Sequence, residues 1–303
     1  MLDFQNLDLA KKEIYLTHLR TGSQGGCEYA FANLYMWGRQ RAAFVEGYLV
    51  LFSQFSRRSV YPWPRGTGDI RPVLDAIIAD AAQRGIPCRI TGMSQEQREL
   101  LELLYPGRFR FHNDRDGYDY VYAIDDLADL KGRKYQRKRN HFNRFCQNFP
   151  HYSVTSICPQ NLPLVRSFAE SWFLRRQQED PEADLHMERS ALKKALDHFE
   201  DLDMEGLLLM DGNDVLAFTI GSPLSGYTFD IHFEKATADA DGAYTAINCL
   251  FARYLREKYP QLRFLNREDD MGLEGLRRAK LSYLPHHMVE KSWACLLEDG
   301  CEY

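Results

Sequence analysis

The sequence predicts a mixed α+β protein built as two tandem domains, each a mostly antiparallel sheet flanked by helices. Two observations lead there. One order of elements occurs twice along the chain: a meander of three strands, a loop with glycine, an amphipathic helix, a strand, a second helix and closing strands. The halves share this order but negligible sequence identity, so the repeat lies in the architecture. The chain also has 303 residues, 45% of them hydrophobic and 13% aromatic, enough to fill two cores. The expected division is 1–130, a basic connecting segment at 131–150, and 151–303.

In the first half, helix and loop fill the first thirty residues. The turn Thr21 to Phe31 (TGSQGGCEYAF) enters a short helix with Asn33, Leu34 and Trp37. From Arg39 to Pro64 the pattern is that of strands. Phe44-Val45 and Tyr48 to Phe52 flank the tight-turn pair Glu46-Gly47, and a third strand covers Ser59 to Trp63. After Arg65-Gly66-Thr67-Gly68, Asp69 caps a helix whose apolar face is Val73, Leu74, Ile77, Ile78, Ala81 and Ala82, closed by Gly85. A strand at Pro87 to Thr91 follows. Ser94 to Gln97 is a capping box opening a helix with Leu100, Leu101 and Leu104. Strands at Phe109 to Phe111 and Tyr118 to Ile124 close the half.

The second half opens with a strand at His151 to Ile157. Helices follow, one with Leu164, Val165, Phe168, Trp172 and Phe173, another over Glu188 to Phe199. Leu207 to Met210 and Val215 to Ile220 are joined by Asp211-Gly212-Asn213-Asp214, a strong hairpin signal. Tyr227 to Glu234 is the third strand of the meander. A helix then carries Tyr244, Ile247, Phe251, Tyr254 and Leu255 on one face. A strand at Leu262 to Leu265 ends on Asn266, the charged loop Arg267 to Asp270 follows, a helix begins near Met271, and a hairpin spans Met288 to Leu297.

Composition excludes several classes. A net charge of −5 gives no general attraction to nucleic acid, so any affinity for polyanions must come from a local patch. No apolar run approaches the ~20 residues that span a bilayer. The first residues, MLDFQNLDLAKKE, show no signal-peptide core. Seven scattered cysteines without zinc spacing point to reduced thiols and a cytoplasmic location. His286-His287 lacks a third ligand at metal spacing, so no metal is expected, and no nucleophile elbow is present.

Three stretches carry a resemblance: KGRKYQRKRNHFNRF (131–145), EKATADADGAYTAIN (234–248) and NREDDMGLEGLRRAKLSYLP (266–285). Together they resemble a bacterial family of uncharacterised cytoplasmic proteins related to the C-terminal domain of phosphatidylglycerol lysyltransferases and, more distantly, to Fem-type peptidyltransferases. The doubled element order resembles the GNAT acyltransferase fold in tandem. The resemblance covers almost the whole chain. It implies transfer of an aminoacyl group from tRNA, or of an acyl group from coenzyme A, to an amine or hydroxyl. Fold alone does not settle function.

The candidate site follows from strand periodicity and this resemblance. With a period of two, Asp230, His232 and Glu234 fall on one strand face. In a GNAT-like fold this strand separates from Leu262 to Asn266 and makes the acyl-donor slot, so Glu234, Lys235, Asn266 and Glu268 would converge at its mouth. Acyl transfer needs a base and a donor for the developing oxyanion. Glu234 or Glu268 could be the base, Asn266 and Lys235 could orient the carbonyl or a carboxylate, and Tyr283 could protonate the leaving group. Asp269 belongs with these, and Lys280 with the ligand contacts. The alternative is structural: a polar edge face satisfied by waters and loop amides. The loop ending at Gly242 sits where GNAT enzymes cradle the coenzyme A pyrophosphate, but it has one glycine, and Asp239 and Asp241 place negative charge there. Arg65 to Gly68 is the better phosphate loop by composition, although a short glycine-rich turn is most often an ordinary loop.

Seven Lys/Arg and no acid lie between 131 and 145. Arg137, Lys138, Arg139 and Arg144 are read as contacts to phosphate or nucleic acid, with Tyr135, His141 and Phe142 interleaved for stacking. The alternative is a solvated helix face paired with carboxylates. The expected function is therefore acyl transfer, with aminoacyl-tRNA or acyl-coenzyme A as donor and no certain cofactor. A non-catalytic module binding a small metabolite or nucleotide is the second reading.

Overall fold

The computed structural model describes residues 1–21, 25–38, 40–55 and 58–299. Positions 22–24 of the turn expected over Thr21 to Phe31, and position 39, where the strand pattern was expected to begin, lie outside them. The contacts divide the chain into two compact units.

The first unit comprises Met1–Asp119, Asp269–Leu273 and the C-terminal stretch from Met288. It begins with β1 (Gln5–Asn6), α1 (Lys12–Leu19), α2 (Phe31–Met36), β2 (Gln40–Val45), β3 (Tyr48–Phe55), β4 (Arg58–Pro62) and β5 (Arg65–Gly66). It continues with α3 (Arg71–Arg84), β6 (Arg89–Met93), α4 (Gln95–Leu104) and β7 (Phe109–Asn113). The second unit carries β8 (Asp119–Ala123), α5 (Ile124–Asp129), α6 (Gln136–Asn148), β9 (Tyr152–Ser156), α7 (Leu162–Glu179) and α8 (His186–Asp197). Then come β10 (Glu205–Asp211), β11 (Asp214–Pro223), β12 (Thr228–Ala236), α9 (Ala243–Lys258), β13 (Phe264–Asn266) and α10 (Glu274–Leu281), and β14 (His287–Val289), which joins the second sheet, begins at that unit's last residue. The last strand, β15 (Ser292–Leu296), belongs to the first unit's sheet.

Local chemistry explains many of the boundaries. The Glu46-Gly47 turn brings Val45 opposite Tyr48. Ser94 and Gln97 form both halves of a capping box, at 3.3 and 2.9 Å. Asp69 accepts the Arg71 N–H at 3.0 Å at the start of α3. In the first unit, Val73, Leu74 and Ile77 pack in one cluster with Val50, Tyr61 and Ile90. In the second, α7 sets Phe168 edge-on to Phe218 of β11 at 5.9 Å, and α9 sets Phe251 edge-on to Phe229 of β12 at 6.1 Å. Burying each such side chain stabilises by roughly 1.5–3 kcal/mol.

The mixed α+β class with two mostly antiparallel sheets is observed. The strand orders are β1-β2-β3-β4-β6-β15-β7, with β5 on β3, and β14-β8-β13-β12-β11-β10-β9. Among the described pairings, β4 with β6 and β12 with β13 are parallel.

Three expectations change. The division does not fall at 130 or in the basic segment: β8, α5 and α6 all belong to the second unit, and β15 returns to the first. The expected hairpin over Met288 to Leu297 is two strands in different sheets, β14 beside β8 and β15 between β6 and β7. Lys291 separates them. Its ammonium is buried between Asp119 at 2.6 Å and Glu28 at 2.7 Å, and its carbonyl accepts the Asp114 N–H at 2.9 Å. Finally, α10 starts at Glu274, not near Met271. Glu268, Met271 and Gly272 have φ of +56, +50 and +74, left-handed conformations that a right-handed helix cannot include.

Candidate active site

β12 and β13 pair only at Thr228↔Phe264, Phe229↔Leu265 and Asp230↔Asn266. β12 then runs on to Ala236, while the chain after Asn266 stays with β8. The Arg267 N–H donates to the Tyr120 carbonyl at 2.9 Å, and the Tyr120 N–H to the Glu268 carbonyl at 3.1 Å. The two strands therefore part, as the slot expected from the resemblance requires. Two of the expected residues act on this turn. Asn266 Oδ1 accepts the Glu268 N–H at 2.7 Å, and the buried Lys280 ammonium donates to the carbonyls of Arg267 and Glu268. Lys280 thus pins the backbone, contrary to its expected role in holding a ligand.

Asp230, His232 and Glu234 do not share one face. Ile220 is opposite Phe233 and Gly221 opposite Ile231, so His232 is an extra residue in β12. Such a bulge shifts the alternation of side chains. On one face, His232 Nε2 lies 2.8 Å from Ser222 Oγ, and its Nδ1 lies 3.0 Å from Glu268 Oε1 and 3.7 Å from Asp230 Oδ2. These ligand atoms of Asp230, His232 and Glu268 lie within 4.8 Å of one another, so they could hold a divalent cation. In the first unit, Cys27, Glu28 and Asp119 have the same spacing, but the Lys291 ammonium already supplies the cation there. Burial opposes that charge, yet Asp119, Cys27 and Glu28 hold its pKa well above the usual lysine range.

Glu234 belongs to a different cluster. It accepts from Arg267 Nη2 at 2.8 Å and from Asn248 Nδ2 of α9 at 3.2 Å, and it stands opposite Thr219 across the β11–β12 ladder. Arg267 lies over the rings of Tyr283 (4.9 Å) and Tyr122 (5.7 Å). Burial works against its charge, but Glu234, Tyr122 and Tyr283 outweigh that and its pKa is raised. Lys138 of α6 places its ammonium 3.5 Å from the centre of the Tyr283 ring. Its pKa is pushed down to about 8, first by burial, then by the charges of Arg267 and Arg137, with Glu234 acting the other way. The Tyr283 hydroxyl meets Thr245 Oγ1 at 3.4 Å, and burial raises its pKa. Thr219 Oγ1, Asn248 Oδ1 and Arg267 Nη1 are all buried and have no hydrogen-bond partner among the described residues. Three such atoms around one carboxylate are a costly arrangement unless a polar group fits among them.

The other expected residues go elsewhere. Lys235 points to the α7 side, 2.6 Å from Glu188 and 3.9 Å from the centre of the Trp172 ring. A cleft of about 370 Å³ opens nearby, lined by Phe168, Trp172, Arg175, Thr237 and Tyr244. Asp269 accepts the Met271 N–H at 3.2 Å within its own turn. Gly242 precedes α9 with φ +87, and a Cβ there would meet the His141 carbonyl oxygen at 2.5 Å, so this glycine serves the contact of α9 with α6. Asp241 pairs with Arg144 at 2.8 Å and Asp239 with Arg175 at 2.6 Å, which neutralises the charge that counted against a pyrophosphate. Arg139 donates to the carbonyls of Leu130 and Gly132, and Arg137 is exposed. Of the basic run, only Lys138 turns into the Glu234 cluster.

Motif and spacing in the sequence assign no role to Arg267, Asn248, Thr219 or Ser222. One signal was available: Asn248 is a lone amide on the apolar stripe of α9, and it is 4% exposed.

The sequence profile of the phosphatidylglycerol lysyltransferase C-terminal family matches residues 20–295. The chain belongs to that family. Within this fold it is similar to a solved conserved protein of unknown function from Bacteroides thetaiotaomicron VPI-5482. That protein is 36% identical, with 98% of this chain and 100% of that chain covered and a TM-score of 0.92. The structure of L-PGS from Bacillus licheniformis is 16% identical, with 96% and 93% covered and a TM-score of 0.68. A tandem GNAT protein from the clavulanic acid biosynthesis pathway matches over 100% of both chains at 8% identity and a TM-score of 0.51, so the fold is the tandem GNAT-like one. An uncharacterised protein of Mycoplasmoides gallisepticum (strain R(low / passage 15 / clone 2)) is 24% identical over 178 residues. That match takes in 57% of this chain, which spans about half (54%) of the curated relative. Among the described residues, no helix is long and apolar enough to cross a membrane.

Proposed function

We propose that the chain transfers an aminoacyl group from an ester donor, aminoacyl-tRNA in the first instance, to an amine or hydroxyl acceptor at the Lys138–Glu234–Arg267 cluster. One observation carries this reading: three buried, unpaired polar atoms surround Glu234 beside a lysine whose pKa is about 8. Membership of a family named for lysyl transfer supports the aminoacyl part. Neutral Lys138 takes the acceptor's proton as its nitrogen or oxygen attacks the ester carbonyl. Arg267 Nη1 donates to the carbonyl oxygen as it becomes an oxyanion. The ester C–O bond breaks, and the ribose oxygen leaves with the proton held by Lys138. Glu234 retains free lone pairs, and with Asn248 Oδ1 it receives the α-ammonium of the aminoacyl group. Asp230, His232 and Glu268 act by holding the loop after β13.

The test supplies labelled aminoacyl-tRNAs, or acetyl-coenzyme A, with phosphatidylglycerol vesicles and with a soluble diamine. Label is expected to move from tRNA to an acceptor with the wild type, and at least 100-fold more slowly with Lys138→Met or Glu234→Gln. Transfer from acetyl-coenzyme A alone would replace the donor. Absence of transfer from every donor would overturn the reading in favour of a binding module.

A further inference from the structure

The first unit contains a pocket that the proposed transfer site does not use. Its sheet repeats the parallel pairing of the second: β4 pairs with β6 at Tyr61↔Ile90 and Pro62↔Thr91, and a helix, α3, again lies between the two paired strands in sequence, here after the short β5. The Trp63 N–H still reaches the Thr91 carbonyl at 2.9 Å, and the chain then leaves β6. There a pocket of about 300 Å³ opens, with Tyr48, Trp63, Arg65, Gln97 and Leu100 in its lining.

Arg65 is the unusual member. It is 5% exposed. Its Nε and Nη2 donate to the Leu19 carbonyl at 3.3 and 3.0 Å, and its guanidinium lies 4.5 Å from the centre of the Tyr29 ring. Its Nη1 has no hydrogen-bond partner, and the guanidinium pairs with no carboxylate, among the described residues. Glu28, the carboxylate whose field reaches it, is held by Lys291 at 2.7 Å. Glu96, also in the lining, is exposed on the first turn of α4. A guanidinium with little exposure and no carboxylate partner favours an anion, and Nη1, the nitrogen left open once Nε and Nη2 hold the Leu19 carbonyl, can donate to an oxygen of a carboxylate or phosphate in the cavity that Arg65 lines. The neighbouring glycine has a separate purpose. A Cβ on Gly66 would meet the Gly47 carbonyl oxygen at 2.5 Å and Tyr48 Cα at 2.7 Å, so it allows β5 to lie against β3.

We propose that this pocket binds a small oxyanion, a phosphate or carboxylate group, through Arg65, with Trp63 and Tyr48 walling the rest of the ligand. The site is independent of the transfer chemistry in the second unit. Isothermal titration and thermal melting of the full chain test it, with inorganic phosphate, pyrophosphate and benzoate as probes against sodium chloride at equal ionic strength. Saturable binding of at least one probe is expected. A phosphate source is indicated if phosphate or pyrophosphate binds, and a carboxylate source if benzoate does. Arg65→Lys should weaken the binding tenfold or more. Leu100→Trp, at a position 36% exposed on the rim, should abolish it without touching the core. Arg267→Lys should leave it unchanged. No saturable binding by the wild type, or unchanged binding in both Arg65→Lys and Leu100→Trp, would overturn the proposal.

Discussion

At the scale of single residues, the ionisable groups divide into those kept for chemistry and those that hold the fold. Lys138 is a half-buried ammonium beside Arg267, and both charge and burial push its pKa down to about 8. Because the neutral amine is the proposed base, kcat/KM should rise tenfold per pH unit below about 8 and level off above it; a pH–rate profile checks this. The same shift acts on stability. The folded pKa is depressed, so below pH 8 the folded state carries a charge it holds less well than the unfolded chain does. That cost shrinks as the pH rises from 8 into the ordinary lysine range. Lys138→Met should therefore stabilise the fold at pH 7, by about 1 kcal/mol after allowance for solvent screening, and lose this advantage at high pH, as urea titrations at several pH values would show. Lys280 is the opposite case. Its ammonium bonds two backbone carbonyls, so Lys280→Met should cost about 2 kcal/mol in stability and leave KM unchanged.

At the scale of elements, most of the fold was legible. The Glu46-Gly47 turn, the Ser94–Gln97 capping box and the Asp211–Asp214 hairpin all formed where local chemistry placed them. What periodicity could not supply was the bulge at His232. One extra residue breaks a period of two, so a strand that read as one polar face carries two separate clusters. The split of the basic run was equally hidden, because it depends on partners distant in sequence. Lys131, Lys134 and Arg144 meet Asp129, Asp126 and Asp241, Arg139 meets carbonyls, and Arg133 and Arg137 remain exposed. Binding of tRNA should accordingly show a shallow salt dependence, with a slope of log K against log salt of about −2. Gly242 lies in a loop placed where a phosphate cradle would be, and the sequence alone cannot separate that use from packing because glycine serves both. Gly242→Ala should cost about 2 kcal/mol through its positive φ and its contact with α6, measured by denaturant unfolding.

At the scale of the whole molecule, the doubled element order predicted two similar units but not the crossing of strands between sheets. β8 leaves the N-terminal half for the second sheet, and β15 returns from the C-terminus to the first. Element order alone is blind to this, since an edge strand and an exchanged strand look alike in sequence. Truncation after Glu290 removes β15, on which β7 depends for its place in the sheet. It should abolish hydrogen-exchange protection in β6 and β7. The exchange also explains why Lys291, between two strands of different sheets, is buried with two carboxylates: its charge fixes where the chain changes sheet.

The central claim is that transfer occurs at Lys138, Glu234 and Arg267 and not on the His232 face of the same strand. The direct measurement is aminoacyl transfer from labelled tRNA at pH 7 and pH 9 by Lys138→Met, Glu234→Gln and His232→Gln, all verified as folded. At least a 100-fold loss is expected in the first two, with the rise between pH 7 and 9 absent from Lys138→Met, and less than a tenfold loss in His232→Gln. Full activity with an unchanged pH profile in Lys138→Met, together with inactivity of His232→Gln, would contradict the claim.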